Sequence, residues 1–396
     1  MICTRDQYLS DNSGMVIGFD ASRAFIAGRT GTENYSYQLL KSLSEIDNRN
    51  KYIVYLRQIA VPGVNWPANF QFKKISWQRL WTQGGLARQT FADKLDVLFV
   101  PAHTIPIIRR PGLKTVVTVH DLGSEYLPGM HQVKQRFYLG FMQKVQLRSA
   151  TKIIAVSEAT KEDLVKKIGI DSKKIKVVYE GYDKKLFRPI RGDLLVNSLK
   201  RYDLQSGNYF LFVGTVQPRK NLERLIKAFS SFVIRHSSNL KKIRIAKNEL
   251  QLVIAGSKGW LSDEIYKLPK KLGIDEKVKF LGYVSDQDLP ALYSGAVALT
   301  FPSLFEGFGL PILEAQASGC PVLTSNISSM PEVAGPAAAG GSVLVDPYSV
   351  DGIVKGMERV KLEGERGKLI KAGFENIKRF SWEKCAKETL EVLENV

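Results

Sequence analysis

Short apolar runs rich in Val, Ile and Phe alternate along this chain with segments of helical period, and the alternation starts twice. MVIGFD (15–20), KYIVYL (51–56), DVLFVP (96–101), KTVVTVH (114–120), KIIAVS (152–157) and KIKVVYEG (174–181) form the first series. Runs this apolar suit strands buried on both faces, as in a parallel sheet covered by helices, and segments such as 34–43 and 132–147 supply the helices. A polar interval containing Pro189, Gly192, Ser198 and Gly207 follows. YFLFVG (209–214), LQLVIAG (250–256), KVKFLGY (277–283), AVALTFP (296–302) and CPVLTS (320–325) then form a second series, with helical segments at 222–232, 286–294 and 313–317. The pattern predicts two doubly wound α/β domains, over 1–190 and 209–379, joined by a linker at 191–208. In such sheets ligands bind outside the carboxyl ends of the strands, so the loops after each strand are where chemistry is sought.

At 396 residues the chain has room for two ordinary cores. With 44% hydrophobic and 24% charged residues it is composed as a globular protein, which excludes a disordered or fibrous chain. Cys3, Cys320 and Cys385 offer no disulfide framework and no zinc-ligand spacing, so a reducing, cytoplasmic compartment is expected. Asp6, Asp11 and Asn12 interrupt any leader-like apolar core at the start. The uncharged stretch from Leu289 to Phe305 is broken by Pro290, Ser294, Gly295 and Pro302, whereas a membrane-crossing helix needs about 20 mostly apolar residues. It reads as a helix end followed by a buried strand.

The formal charge is +18, of which +14 falls in residues 1–200 and +4 in the remainder. Such a field suits phosphorylated ligands, an anionic membrane surface or another polyanion. A nucleic-acid binder is the rival from another class, but the basic residues are not interleaved with an aromatic stacking platform.

The most informative loop is FPSLFEGFGLPILE (301–314), which follows a buried strand and enters a helix near Leu310. Backbone N–H groups of Phe308, Gly309 and Leu310 would lie unpaired at that helix start, an anion site strongest for phosphate. Glu306 precedes the turn and Glu314 lies one turn inside, so both carboxylates can face one cleft. No Lys or Arg occurs between 301 and 350, so neither has a local ion-pair partner. The plain alternative is a solvated acid and a helix-start acid favoured by the dipole. In GTVQPRKN (214–221), Arg219 and Lys220 stand at a strand's carboxyl end, placed to neutralise a diphosphate or, more plainly, solvated. IAGRTGT (26–32) is neither a Walker loop nor GxGxxG, yet Gly28 and Gly31 permit close backbone approach to a phosphate or sugar. His120 ends KTVVTVH and Asp121 follows it, a cleft edge where a lone histidine is more often structural than functional.

Glu306 and Glu314, with GFGLP between them, resemble the paired-glutamate motif of retaining glycosyltransferases of family 4. The resemblance runs through DASRAFIAGRTGTENYSYQLL, VVTVHDLG, IIAVSEATKEDL, VVYEGYD, FVGTVQPRKNLERLI, VIAG, FLGYVSDQDLPALYSGA and ASGCPVLTS. It implies the GT-B fold, two facing Rossmann-like domains with a cleft between them, the second holding the donor and the first the acceptor. By resemblance Glu306 meets the donor sugar's hydroxyls and Glu314 the ribose, as ionised carboxylates that accept paired hydroxyl hydrogen bonds. Gly214, Phe308, Gly309 and Leu310 belong to the donor site. The backbone around Tyr283 and Val284 would meet the nucleobase with Gly256 nearby, and a loop containing Gly31 and Thr32 would close over the donor. His120 would contact the sugar near its reacting carbon, and Asp121 and Ser157 would lie on the acceptor side. The segment 380–396 would cross back onto the first domain. Many family members carry Arg directly after the glycine where this chain has Thr215, which shifts diphosphate binding onto Arg219 and Lys220.

The expected activity is transfer of a hexose, mannose first, with retention, from a GDP- or UDP-linked sugar to a glycan or lipid-linked acceptor in cell-surface polysaccharide or glycolipid synthesis. No other cofactor is called for, and a sugar-nucleotide epimerase or a phosphorylase of the same fold is the rival among enzymes. Asp286-Gln-Asp288 imitates a metal-binding Asp-x-Asp, but Ser285 ahead of it reads as a helix capping box, so metal-independent chemistry is expected. QVKQRFYLGFMQKVQLR (132–148) interleaves apolar and basic residues, and with Trp66, Trp77 and Trp81 it suggests peripheral contact with an anionic membrane, at the inner face for a cytoplasmic protein.

Overall fold

The computed structural model describes residues 14–26, 31–57, 65–77, 79–102, 104–122, 144–237, 250–335 and 341–396. The first apolar series forms a seven-stranded parallel sheet in the order β3-β2-β1-β4-β5-β6-β7. Its strands are β1 Val16–Asp20, β2 Lys51–Leu56, β3 Phe70–Lys74, β4 Val97–Val100, β5 Lys114–Val119, β6 Lys152–Ala155 and β7 Ile175–Val177. The second series forms a six-stranded parallel sheet in the order β10-β9-β8-β11-β12-β13, from β8 Tyr209–Val213, β9 Gln251–Ala255, β10 Val278–Gly282, β11 Ala298–Phe301, β12 Val322–Ser325 and β13 Val343–Val345. Both sheets reverse their winding beside their first strand, β1/β4 in one and β8/β11 in the other, and a crevice opens at such a switch point.

Among the described residues, helices of the first half include α1 Gly31–Ile46, α2 Ala87–Ala92 and α3 Glu158–Asp163. Helix α1 presents Tyr35, Leu39, Leu40 and Leu43 to the core on one stripe. Residues 191–208, read as a linker, contain helix α4 Gly192–Lys200. It packs on a later helix because Leu199 is buried and Ile190 N donates to Ser294 Oγ at 3.0 Å. The second half adds α5 Leu222–Ser237, α6 Asp263–Lys271, α7 Leu289–Gly295, α8 Leu310–Ala317, α9 Met330–Ala334, α10 Val350–Lys361, α11 Glu363–Asn376 and α12 Trp382–Glu394. The uncharged stretch is the end of α7 followed by β11, and no described helix is long and apolar enough to cross a membrane.

Helix α12 starts at Ser381, whose hydroxyl accepts from Lys384 N, and lies against α1 of the first half. Glu394 is bonded there by Arg49 and Asn50. Its crossing requires Gly181, since a Cβ at that position would overlap the Trp382 backbone. Rings of Tyr179, Phe308 and Phe380 meet at 5.5–6.2 Å where the two halves touch, so one apolar core continues across the boundary.

Candidate active site

Strands β8 and β11 are sheet neighbours, so the loops that leave their carboxyl ends meet although 86 residues separate Lys220 from Glu306. After β8 the chain makes a 3₁₀ turn, Pro218–Lys220, that ends on Asn221 in the left-handed region at φ 61°. Asn221 Nδ2 donates to the carbonyls of Pro302 at 2.9 Å and Pro347 at 2.7 Å, which clamps the turn against the loop after β11. Lys220 Nζ then donates to Glu306 Oε1 at 2.6 Å, and Arg219 Nη1 donates to Oε2 at 2.8 Å and to the Phe305 carbonyl at 3.1 Å. The missing local partner of Glu306 is therefore the cation pair that the sequence assigned to a diphosphate. Burial opposes ionisation of Glu306, but Lys220 and Arg219 beside it hold its carboxyl down to about 2. Burial depresses the Lys220 ammonium in turn, and Glu306 pulls it back up.

The same loop is pinned from behind. Ser328 Oγ donates to the Glu306 carbonyl at 2.8 Å, and Ser329 Oγ donates to Phe308 O at 2.7 Å and Glu306 O at 3.0 Å. Gly309 takes φ 112° and caps α8, a conformation a side chain would strain. The N–H groups of Phe308, Gly309 and Leu310 donate to no other described residue. Glu314, one turn into α8, accepts from the Tyr293 hydroxyl at 2.8 Å, and burial raises its carboxyl to about 7. Gly256 lies so close to Gly214 that a Cβ there would overlap the Gly214 carbonyl, and Gly256 N donates to Gly282 O at 2.7 Å. This draws Gly214, Gly256 and the segment leading to Tyr283 and Val284 into one row, with Tyr283 exposed and Val284 buried.

The first half faces this rim across a narrow gap. Gly307 abuts the His120 carbonyl and Asp121, and a Cβ on Gly307 would overlap that carbonyl oxygen. His120 Nδ1 lies 3.1 Å from Glu180 Oε1 and Nε2 lies 2.9 Å from the Pro101 carbonyl. Both partners are acceptors, so this geometry favours a ring carrying both protons. Burial alone would lower its pKa, yet the Glu180 carboxylate and the Pro101 carbonyl raise it. Burial leaves the Lys220 ammonium lowered and Glu306 raises Arg219, with Asp121 from across the gap adding a smaller push toward the charged form of each. Ser157 is fully buried, accepts from Thr160 N as the cap of α3 and donates to the Gly307 carbonyl at 2.7 Å. It clasps the two halves. Glu332 of α9 completes the clasp by accepting from Glu158 N, the first helical N–H of α3, at 2.9 Å.

Other expectations change. Gly31 and Thr32 lie in the first turn of α1 and not in the loop before it, while Gly28 and most of 132–148 fall outside the described residues. Helix α7 begins at Leu289, after Asp288, so Ser285 forms no capping box. Asp288 is taken instead by Arg201, by the Tyr202 hydroxyl at 2.7 Å and by Ser285 at 3.1 Å. Among the described residues no three His, Cys, Asp or Glu side chains gather as metal ligands. Trp81 is buried and Trp66 packs among Phe25, Phe70 and Phe72, which leaves Trp77 alone of the three exposed. Sequence reading missed Glu180, Asn221, Ser328, Ser329 and Glu332. Only Glu180 and Asn221 lay in quoted motifs, VVYEGYD and GTVQPRKN, and nothing local signals their distant partners.

Residues 200–376 match the family model described as Glycosyl transferases group 1, and residues 30–186 match Glycosyltransferase Family 4. The O-antigen chain mannosyltransferase B of Escherichia coli is 30% identical over 278 residues, covering 70% of this chain and 69% of that protein. The chain belongs to the GT-B glycosyltransferases. An uncharacterized glycosyltransferase of Methanocaldococcus jannaschii is 29% identical to it over 88% of this chain and 86% of its own length. The sucrose-phosphate synthase of Thermosynechococcus elongatus shares the glycosyltransferase's fold with a TM-score of 0.73 at 18% identity, over 96% of this chain and 98% of that one. The Anabaena HepE structure in complex with UDP and glucose gives 0.70 at 18%, over 96% and 100%.

Proposed function

We propose that this glycosyltransferase moves a mannosyl residue, with retention and without a metal, from a nucleoside diphosphate sugar to a glycan or lipid-linked acceptor in cell-surface polysaccharide synthesis. The observation that carries the reading is the Arg219–Glu306–Lys220 cluster at the β8/β11 switch point, directly opposite His120 and Asp121. Mannose is supported by relatives named as mannosyltransferases in Escherichia coli and Salmonella typhimurium, though the Salmonella protein is matched over 59% of its length.

On this reading the diphosphate draws Arg219 and Lys220 away from Glu306, and they stabilise the charge that grows on the leaving oxygen. Released from its ion pairs, the ionised Glu306 accepts hydrogen bonds from sugar hydroxyls, and Glu314 does the same for the ribose. The glycosidic C–O bond to the diphosphate breaks as the acceptor oxygen bonds to the same face of the anomeric carbon. The departing phosphate oxygen takes the acceptor's proton, so the protein needs no nucleophile of its own. The exposed Tyr283 offers a ring against which a nucleobase can stack, and the halves exclude water around both substrates.

Thermal-shift titration with GDP, UDP, GDP-mannose and UDP-glucose identifies the donor, since ligand at 100 times its Kd adds about 2.7 kcal/mol. NMR of the product's anomeric proton then reads retention, and activity in excess chelator reads metal independence. An unaltered nucleotide shift in Glu314→Ala, or an inverted product, overturns the corresponding part of the reading.

A further inference from the structure

The described surface of the first half carries an apolar and basic face that the transfer chemistry does not use. Trp77, Leu80, Ile107 and Ile108 are 44%, 72%, 37% and 72% exposed. They come from two loops that the structure ties together: Gln83 Nε2 donates to Ile105 O at 3.0 Å, and Ile107 N donates to Gln83 Oε1 at 2.9 Å. The Trp77 ring lies across Gly84 and Gly85, and Arg110 N donates to Thr90 Oγ1 at 3.0 Å, which joins α2 with its exposed Phe91 to the same face. Leu80 holds a left-handed backbone at φ 53°, a conformation costly for a leucine, where it caps the helical turn Trp81–Leu86 and leaves its side chain exposed.

The charge around these residues is mostly positive. From Trp77 to Lys114 there are six Lys or Arg and two Asp or Glu. Asp93 is half-buried and taken by Lys73 and the Tyr55 hydroxyl, while the exposed Asp96 accepts from Val16 N at 2.7 Å. Arg79, Arg88, Arg109 and Arg110 form no salt bridge with a described residue. Arg109 donates to the Pro106 and Ser149 carbonyls and Arg110 to that of Leu95, which fixes two cations in place without neutralising them.

We propose that this face, Trp77, Leu80, Ile107 and Ile108 with Arg79, Arg88, Arg109 and Arg110, seats on an anionic phospholipid surface. Apolar side chains would enter the headgroup boundary while the arginines meet lipid phosphates. Charge complementarity selects this occupant, because a second copy would bring the same excess of positive charge. The loop that carries Ile107 and Ile108 begins at Pro101, whose carbonyl holds the His120 ring, so docking here sets the cleft beside the membrane. The proposal rests on the reading of a lipid-linked acceptor and assigns its membrane contact to residues other than 132–148.

The test is co-sedimentation of the full chain with phosphatidylcholine vesicles, with and without phosphatidylglycerol, at low salt. Binding is expected only with phosphatidylglycerol. It should fall about fivefold for each of Arg79→Gln and Arg88→Gln, the loss expected per basic residue at an anionic surface, and below detection in L80S/I108S. Equal sedimentation with both vesicles, or undiminished binding by L80S/I108S, overturns the proposal. So does a concentration-dependent dimer, seen by sedimentation velocity, that dissolves in L80S/I108S. Thermal shifts by GDP or UDP should be equal in wild type and variants, which confirms their folding. Absence of either shift in the wild type counts against the proposed transfer and not against the vesicle result.

Discussion

Two carboxylates eight positions apart, Glu306 and Glu314, live in opposite surroundings. Glu306 is clamped between an ammonium and a guanidinium and is held down to about 2, whereas Glu314 meets one neutral tyrosine hydroxyl and burial lifts it to about 7. Identical side chains on one loop and helix thus answer different demands: one is charged at every working pH, and the other sits near its titration point. The difference comes from β8, which sends Arg219 and Lys220 over the first and not the second.

The clamp carries the largest expected effects. Glu306→Ala leaves two cations buried without their counter-ion and should destabilise the fold by about 3–5 kcal/mol, read by denaturant unfolding. Lys220→Met should lower kcat by about 10²- to 10³-fold, the loss typical of one lost charge-stabilising donor. It should also give the activity profile an acid limb, because Glu306 would climb back toward the ordinary carboxylate range. A Lys220→Met enzyme with a flat acid side would break the comparison.

Glu314 gives a smaller, pH-dependent signal. If its ionised form binds ribose, nucleoside diphosphate affinity should tighten about tenfold from pH 6 to pH 8, following simple titration near 7, and calorimetry on Glu314→Gln should show a flat profile. Stability moves the other way. The unfolded carboxyl titrates near 4.5 and the folded one near 7, so between these values the folded state keeps a proton that the unfolded state has lost. Stability should fall as pH rises through that window and level off above it, and Glu314→Gln should remove the decline. Smallest of all, Tyr293→Phe removes the hydrogen bond that lowers Glu314, costing about 0.5–1.5 kcal/mol of stability and moving the affinity midpoint to higher pH.

Central strands were legible because parallel strands buried on both faces are apolar at every position, as in YFLFV and VLFV. The edge strands β3 and β13 were not: β3 alternates Phe70 and Phe72 with polar residues, and β13 is three residues long. The glutamates and the cation pair were each visible, but their union was not, because hydrogen bonding between β8 and β11 has no trace in local spacing. Glu180 and Glu332 were hidden for the same reason. Each partners a group in another loop or in the other half of the chain, and a lone Glu in a loop looks solvated until the fold supplies its neighbour.

The clasp at α3 has a consequence for timing. Glu332 and Gly307 of one half supply acceptors to a helix start and its cap in the other, so parting the halves strips α3 of a terminus that only its sister can complete. Closure is thus written into the resting chain, and the incoming donor has less to do in shutting the crevice than in exchanging partners inside it. Turnover of such a molecule would be paced by how often the helix end is let go.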